Sequence, residues 1–411
     1  MIKIVKISKK ATLGGFFCGI ISLRYRSTQK TLFFNIGRKR GLKMKIHHLK
    51  LLNFRNYEKM EVSFSPKYNI IFGNNGSGKT NLVESIYVLA LTKSFRGTVD
   101  KILLMNSKDV CRIEGEVSDK YTNKYKLILK DGGKKVKINN TKVDKLSDYI
   151  SQISVVLFNP DDLRFIKDSP TIRRKAINLE ISQINNSYLK NLNMYNKLLK
   201  QRNSYLKTTN INANSSSEFL TILTNKLVDY GEKIYESRRK YINLLNQKIG
   251  ELYNSICGIQ DLKLEYISDY KDFDKDKILK KYQDNLNRDI ILGKTTIGIH
   301  HDDIKFKLEG YNIKDYGSEG QQKNAIIAYK LTELEIFYQI RGNYPILILD
   351  DLFSELDRFK INNILNLIND DIQTFITTTE IDKINDNVLS NSKLFEVVDG
   401  YVREVNYEGR I

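Results

Sequence analysis

The sequence predicts an α/β fold interrupted by an inserted helical segment, and three observations carry that prediction. Asn69-Ile70-Ile71-Phe72 is a short apolar run that ends at a glycine-rich loop, followed by an apolar helix pattern from Leu82 to Leu91. Far downstream, Tyr344-Pro345-Ile346-Leu347-Ile348-Leu349 is a second apolar run, ending in two acids, Asp350 and Asp351. Runs of this kind are strands of parallel sheets, buried on both faces. Between them, from Thr171 to Cys257, the chain has no proline and repeats apolar residues at helical spacing.

The strand and helix assignments follow in chain order. Lys45 to Leu51 reads as a strand beginning just after Met44 and leading into Phe54-Arg55-Asn56-Tyr57. Residues 110–139 read as antiparallel strands, with Asp131-Gly132 as a hairpin turn. In the middle, Tyr188, Leu192, Tyr195, Leu199 and Leu206 share one helix face. Beyond a polar gap from Thr208 to Ser217, Leu220, Leu223, Leu227, Tyr230 and Ile234 share another, and Tyr241, Leu245, Leu252 and Ile256 continue it. Two stripes joined by a polar tip suggest an antiparallel hairpin, a short arm; a compact helical bundle is the second reading. The α/β pattern resumes at Leu262–Ile267 and includes Gln373–Thr377. The expected division is a basic extension over 1–43, a first part of the α/β head over 44–165, a helical insertion over 166–290, and the rest of the head over 291–411.

Composition narrows the function class. The chain has 411 residues, 67 Lys and Arg against 48 Asp and Glu, and a net charge of +19. That balance favours a polyanionic partner, although the abundance of Asn, Ile, Lys and Tyr also fits a lysine-rich proteome. Residues 1–43 hold eleven of the cations and no acid. Leu13 to Leu23 resembles the apolar core of a secretory signal but lacks a small-x-small cleavage site. A transit peptide, a disordered basic tail and an artefact of gene-start choice are the other readings of this segment. No apolar run reaches the roughly 18 residues of a membrane span, so no membrane partner is expected. Cys18, Cys111 and Cys257 form no C-x-x-C pair, which argues against a disulfide framework or zinc site and for a reducing cytoplasm.

The chemistry lies in four short motifs. Gly73-Asn74-Asn75-Gly76-Ser77-Gly78-Lys79-Thr80 matches G-x-x-x-x-G-K-S/T between a strand and a helix. Its glycines let backbone amides turn around phosphate oxygens, and the helix N-terminus adds positive charge. Lys79 is expected at the β- and γ-phosphates of ATP and Thr80 on Mg²⁺. The strand ending in Asp350-Asp351 has the Walker B pattern, with Asp350 in the metal shell and Asp351 as the base that orients the attacking water. Ser318-Glu319-Gly320-Gln321-Gln322 opens a long helix and has the S-x-G-Q form of the ABC signature. In that class Ser318, Gly320 and Gln321 face the γ-phosphate held by a partner subunit. Ser354-Glu355-Leu356-Asp357 occupies the D-loop position. The sum is an ABC-type, SMC-like P-loop ATPase head with an inserted helical arm domain.

These motifs, in this order, resemble the RecF family of bacterial DNA replication and repair proteins. The resemblance rests on Leu52-Asn53-Phe54-Arg55-Asn56-Tyr57, Gly78 to Ile86, Lys93-Ser94-Phe95-Arg96, Phe158 to Leu163, Pro170 with Arg173-Arg174, His300-His301-Asp302-Asp303 and Leu349 to Asp357. It covers essentially all of 44–411. The family's usual G-P-H-R-D-D stands here as Gly298-Ile299-His300-His301-Asp302-Asp303, without the Pro and the Arg. Where transporter-type relatives carry a switch His, this chain has Thr377-Thr378-Thr379, and Thr378 is the expected γ-phosphate sensor. No Q-loop glutamine is evident; Asn159 falls near its place. The resemblance implies a homodimer formed on ATP binding and a slow ATPase acting as a switch. It also implies DNA binding at single-strand/duplex junctions, with RecO and RecR as partners and RecA loading as the indirect outcome. A transporter ATPase subunit would be shorter between P-loop and signature. A Rad50-like protein would have a far longer arm with a C-x-x-C hook, and an OLD-type protein would append a nuclease domain.

Overall fold

Strict alternation builds the first sheet. In Val110–Ser118, Cys111, Ile113 and Val117 are buried while Arg112, Glu114 and Glu116 face outward, the period-two pattern of a half-buried antiparallel strand. The structure, a computed structural model, describes residues 43–97, 99–130, 133–208, 218–258, 261–352 and 358–406. The basic segment 1–42, the Asp131-Gly132 turn, most of the polar tip and Ser354-Glu355-Leu356-Asp357 lie outside the described residues. The antiparallel sheet comprises β1 (Lys45–Phe54), β2 (Tyr57–Ser63), β4 (Val110–Ser118), β5 (Thr122–Lys130), β6 (Gly133–Ile138) and β7 (Thr141–Val143). Their order is β2-β1-β4-β5-β6-β7.

The second sheet collects the apolar runs. It contains β3 (Tyr68–Phe72), β8 (Val155–Phe158), β12 (Ile346–Asp350), β13 (Thr374–Thr378), β14 (Ser392–Val398) and β15 (Tyr401–Val405), in the order β15-β14-β3-β13-β12-β8. All pairs are parallel except β14 with β15. The helix Lys79–Leu91 fills the space between the sheets, with Leu82, Val83, Ile86 and Leu89 in a core shared with Ile113, Leu127, Ile348 and Phe395. On the other face of the second sheet, Ile327, Leu331 and Leu334 of the helix Glu319–Arg341 pack with Leu347, Leu349 and Ile376. Between β3 and β12 runs β13, which pairs with both, so the strand that leads into the Gly73–Thr80 loop and the Walker B strand are separated by one strand.

The insertion forms the predicted hairpin, Asn186–Thr208 against Glu218–Asn246, as the spine of a compact lobe. Leu198 is buried in the first helix, with Leu199 partly buried against the same core, and the buried Arg202 follows. The core is rich in aromatic rings, among them Tyr188, Tyr195, Tyr241, Tyr253, Tyr282, Phe306 and Tyr329. A small sheet of β9 (Leu262–Ile267), β10 (Asp303–Leu308) and β11 (Tyr311–Asn312) contributes Leu262, Leu264, Ile304 and Phe306 to the same core.

Buried charges fasten this lobe. Arg238 donates to Asp302 Oδ2 (2.6 Å), to the Ile299 carbonyl and to Asn178, and Tyr266 donates to the same Asp302 oxygen. Arg173 forms a two-pronged pair with Asp303, and Arg174 donates to the Asp302 carbonyl. Arg202 pairs with the fully buried Asp289 at 2.7 Å. The Arg173-Arg174 and Asp302-Asp303 motifs thus serve the lobe's architecture. His300 lies against Tyr195 (Nδ1 to OH, 2.7 Å), and burial lowers its pKa to about 4. His301, where the resembled family carries Arg, is exposed, with Nε2 on the Thr295 carbonyl.

Candidate active site

The parallel strands β3, β13 and β12 end on one side, and the loop 73–78 closes over them. Ligand sites in open α/β sheets form at such carboxyl ends. The loop needs its glycines: Gly73, Gly76 and Gly78 have φ of 147°, 82° and 122°. A Cβ on Gly73 would stand 2.4 Å from the Val397 carbonyl oxygen, and one on Gly78 2.6 Å from Asn56 Nδ2.

The loop is pinned from outside by its carbonyls. Asn56 Nδ2 and the Gly400 amide both donate to the Ser77 carbonyl (3.0 and 3.1 Å), and the Tyr57 hydroxyl donates to that of Gly78 (3.0 Å). Lys79 Nζ holds the carbonyls of Gly73 (2.8 Å) and Asn74 (2.9 Å). The first helical amides have no intrahelical partner, and they adjoin a cavity of about 200 Å³. Asn75, Gly76, Gly78, Lys79, Thr80, Asn81, Arg96, Asp351 and Thr377 line it.

Behind the cavity sits Asp350, whose Oδ1 accepts from both Thr80 Oγ1 (3.0 Å) and Thr377 Oγ1 (2.7 Å). Burial pushes its carboxyl above the usual carboxylate range, against the pull of those two hydroxyls. Burial likewise lowers the Lys79 ammonium, and the Asp351 and Asp350 carboxylates oppose the shift. Asp351 holds a left-handed φ of 51° and donates its amide to Thr377 Oγ1 (2.9 Å). The residues suit a nucleoside triphosphate with a magnesium ion. The Ser77 hydroxyl, within the loop, is buried without a hydrogen-bond partner among the described residues, and the oxygens nearest Lys79 are hard donors, a hydroxyl and a carboxylate.

The structure brings Gly73 to Thr80, Asp350 and Asp351 together, and leaves the signature apart. Ser318, Glu319 and Gly320 are exposed, and neither they nor Gln321 line the cavity. Ser318 caps its helix reciprocally: its Oγ accepts from the Gln321 amide (3.3 Å) and its amide donates to Gln321 Oε1 (2.8 Å). The expected sensor Thr378 follows Thr377 on β13. Its Oγ1 accepts from the Glu380 amide and it does not line the cavity, whereas Thr377 does. Side chains alternate along a strand, and the pairing of Asp350 with Thr377 sets which threonine faces the site. Asn159 is likewise outside the lining.

Residues that sequence reasoning missed include Asn81 and Arg96, joined at 2.7 Å, and Gly400. Gly400 lies in the Asp399-Gly400 turn between β14 and β15, both residues at positive φ. The D-G pair between alternating strands was a hairpin signal, but nothing in it pointed to the loop at 73–80.

Residues 45–401 match the family described as RecF/RecN/SMC N terminal domain. The chain is 38% identical over 368 residues to the DNA replication and repair protein RecF of Oceanobacillus iheyensis, covering 87% of this chain and 100% of that one. The RecF protein of Ligilactobacillus salivarius is 36% identical over 372 residues, with coverages of 88% and 98%. A solved structure of the recombination mediator protein RecF-ATP in the RecFOR pathway aligns with a TM-score of 0.82 at 30% identity, over 90% of this chain and 99% of that one. An Smc head bound to the C-winged helix domain of ScpA aligns with a TM-score of 0.51 at 16% identity over 88% and 98%, a likeness of fold.

Proposed function

Because this chain belongs to the RecF family of DNA replication and repair proteins, we propose that it serves recombinational repair and replication as an ATP-switched, DNA-binding dimer. One observation carries the reading: the Thr80 and Thr377 hydroxyls converge on Asp350 beside the phosphate loop, while Ser318 stands exposed outside that cavity.

In this reading the loop amides and Lys79 bind the ATP phosphates, and Thr80 and Asp350 hold Mg²⁺. The ion's contribution when bound is to neutralise charge on the β- and γ-phosphates. Asp351 orients the attacking water and takes its proton, its backbone set by the Thr377 contact. Thr377, on the cavity wall, takes the γ-phosphate sensor role, with Thr378 next to it on β13. Arg96, on the cavity wall, adds a further cation for phosphate. Ser318, Gly320 and Gln321 of a second copy complete the site over the γ-phosphate, so ATP closes the dimer and slow hydrolysis reopens it. DNA is held in the closed state at single-strand/duplex junctions. RecO and RecR are the partners and RecA loading the outcome, in the cytoplasm; the likeness to a mediator of the RecFOR pathway supports this assignment.

Ser318→Arg tests the composite site. The variant should bind ATP as wild type does, because Lys79 and Thr80 are untouched, and should fail to dimerise with ATP in sedimentation. Dimerisation equal to wild type would refute the arrangement and leave Ser318 as a helix cap.

A further inference from the structure

One register row crosses the whole outer face of the antiparallel sheet. It runs Glu61, Lys50, Glu114, Lys126, Lys137, Lys142, one residue from each of the six strands. Over the first four strands the charges alternate and pair: Lys50 to Glu61 at 2.7 Å and Lys126 to Glu114 at 2.8 Å. Over the last two the alternation fails, so Lys126 stands directly opposite Lys137, and Lys137 opposite Lys142. Like charges directly opposite destabilise a sheet. The next row, Lys59, Leu52, Arg112, Ile128, Lys135, contains cations and no acid. Across the two rows seven cations face two carboxylates; Glu61 is engaged by Lys50 and Glu114 by Lys126 and Arg112 (3.6 Å), while Lys142 draws on Asp144 (3.0 Å) just beyond its strand.

An edge strand studded with lysine can be explained as protection against edge-to-edge pairing. That accounts for Lys142 on β7. It does not account for Lys137, Lys126 and Arg112, which lie on the interior strands β6, β5 and β4. Lys135 and Lys137 form no ion pair among the described residues, and Lys135 is exposed.

We propose that the β4–β7 part of this face is a binding surface for duplex DNA, contacting the phosphate backbone through Lys135, Lys137, Lys142 and Arg112. The inference rests on the DNA-binding function proposed above and gives it a location. The polyanion supplies the charges that the ladder lacks, and lysines on adjacent strands stand about 5 Å apart on a rigid platform. Neither row carries an aromatic ring, and surfaces for single strands stack bases on aromatic side chains; this one suits a backbone that presents phosphates alone. Such contacts are independent of base sequence.

The test compares Lys135→Gln/Lys137→Gln/Lys142→Gln with a control that removes three exposed lobe lysines, Lys226→Gln/Lys277→Gln/Lys280→Gln. Each loses the same net charge, so a general field effect cancels. Binding of the full chain with ATP to a mixed-sequence duplex oligonucleotide is measured across a salt series. Each lost phosphate contact should flatten the log–log salt slope by about 0.9. The sheet variant should therefore lose at least tenfold in affinity at low salt and up to about 2.7 in slope, with ATP binding intact, and the control should lose little of either. A sheet variant no weaker than the control overturns the surface, as does a defect confined to a single-stranded oligonucleotide. A wild-type chain that binds no DNA would overturn the underlying function as well.

Discussion

Removing Arg55 should expose how the turn between β1 and β2 supports the phosphate loop. Arg55 sits at a positive φ of 53° and donates Nε and Nη2 to the two oxygens of Glu84 at 2.9 and 2.7 Å. Glu84 lies on the helix Lys79–Leu91 with a side chain that is 0% exposed, and its other cation, Arg96, stands 3.8 Å away. Arg55→Ala leaves this carboxylate with the Ser94 hydroxyl and one distant, half-exposed guanidinium. Breaking a buried pair from one side costs about 3–5 kcal/mol; partial compensation by Arg96 places the expected loss near the lower end, about 3 kcal/mol. Glu84→Gln in the Arg55→Ala background removes the stranded charge, so the double variant should regain a kcal/mol or more, roughly. Urea unfolding reads both, and calorimetry with ATP reads the functional consequence: Asn56 and Tyr57 hold the Ser77 and Gly78 carbonyls from the same turn, so ATP affinity should fall along with stability. An Arg55→Ala protein within about 1 kcal/mol of wild-type stability, or a double variant no more stable than the single, would refute the bracing role of the Arg55–Glu84 pair.

Three further outcomes are expected. Asp351→Asn keeps Asp350, the proposed magnesium ligand, but loses the proposed base, so ATP should bind, persist and accumulate the dimer; a monomer saturated with ATP in size-exclusion analysis would contradict the proposed switch. Gly400→Ala puts a Cβ 2.5 Å from the Asn56 carbonyl at a φ of 82°. The turn should then move off the Ser77 carbonyl, at about 1–2 kcal/mol for the left-handed backbone alone, and ATP affinity should drop about tenfold; unchanged calorimetry would mean the β14–β15 turn does not hold the loop. His300 is depressed to about 4 in the fold against about 6.5 unfolded. It therefore contributes stability that is complete above 6.5 and is lost as pH falls toward 4. Wild type should lose about 2 kcal/mol from this group between pH 7 and pH 5, and His300→Asn should lack that component in urea titrations at the two pH values.

What was legible in the sequence is what local chemistry determines. The glycines at 73, 76 and 78 announce a loop because the required φ values exclude other residues, and the runs Ile70–Phe72 and Ile346–Leu349 announce buried strands because nothing polar interrupts them. Pairing partners carry no such mark. Thr377, Thr378 and Thr379 are identical side chains in a row, and only the register of β13 against β12 decides that Thr377 meets Asp350. The Asp399-Gly400 turn was readable as a turn, but its reach to Ser77 depends on β14 pairing with β3. The motifs that carried the family resemblance show the same division. Arg55, Glu84, Ser94 and Arg96 come from three separate stretches and meet on one carboxylate. Arg173, Arg174, Asp302 and Asp303 meet in the lobe, remote in sequence from both Walker motifs. A pattern match records both clusters alike; burial and geometry separate a cluster that braces the phosphate loop from one that braces the insertion. The lysine row on the outer face is the converse case. Each lysine is unremarkable in the sequence, and only the register of six strands places like charges side by side, where a sheet without a polyanionic partner would gain from breaking them up.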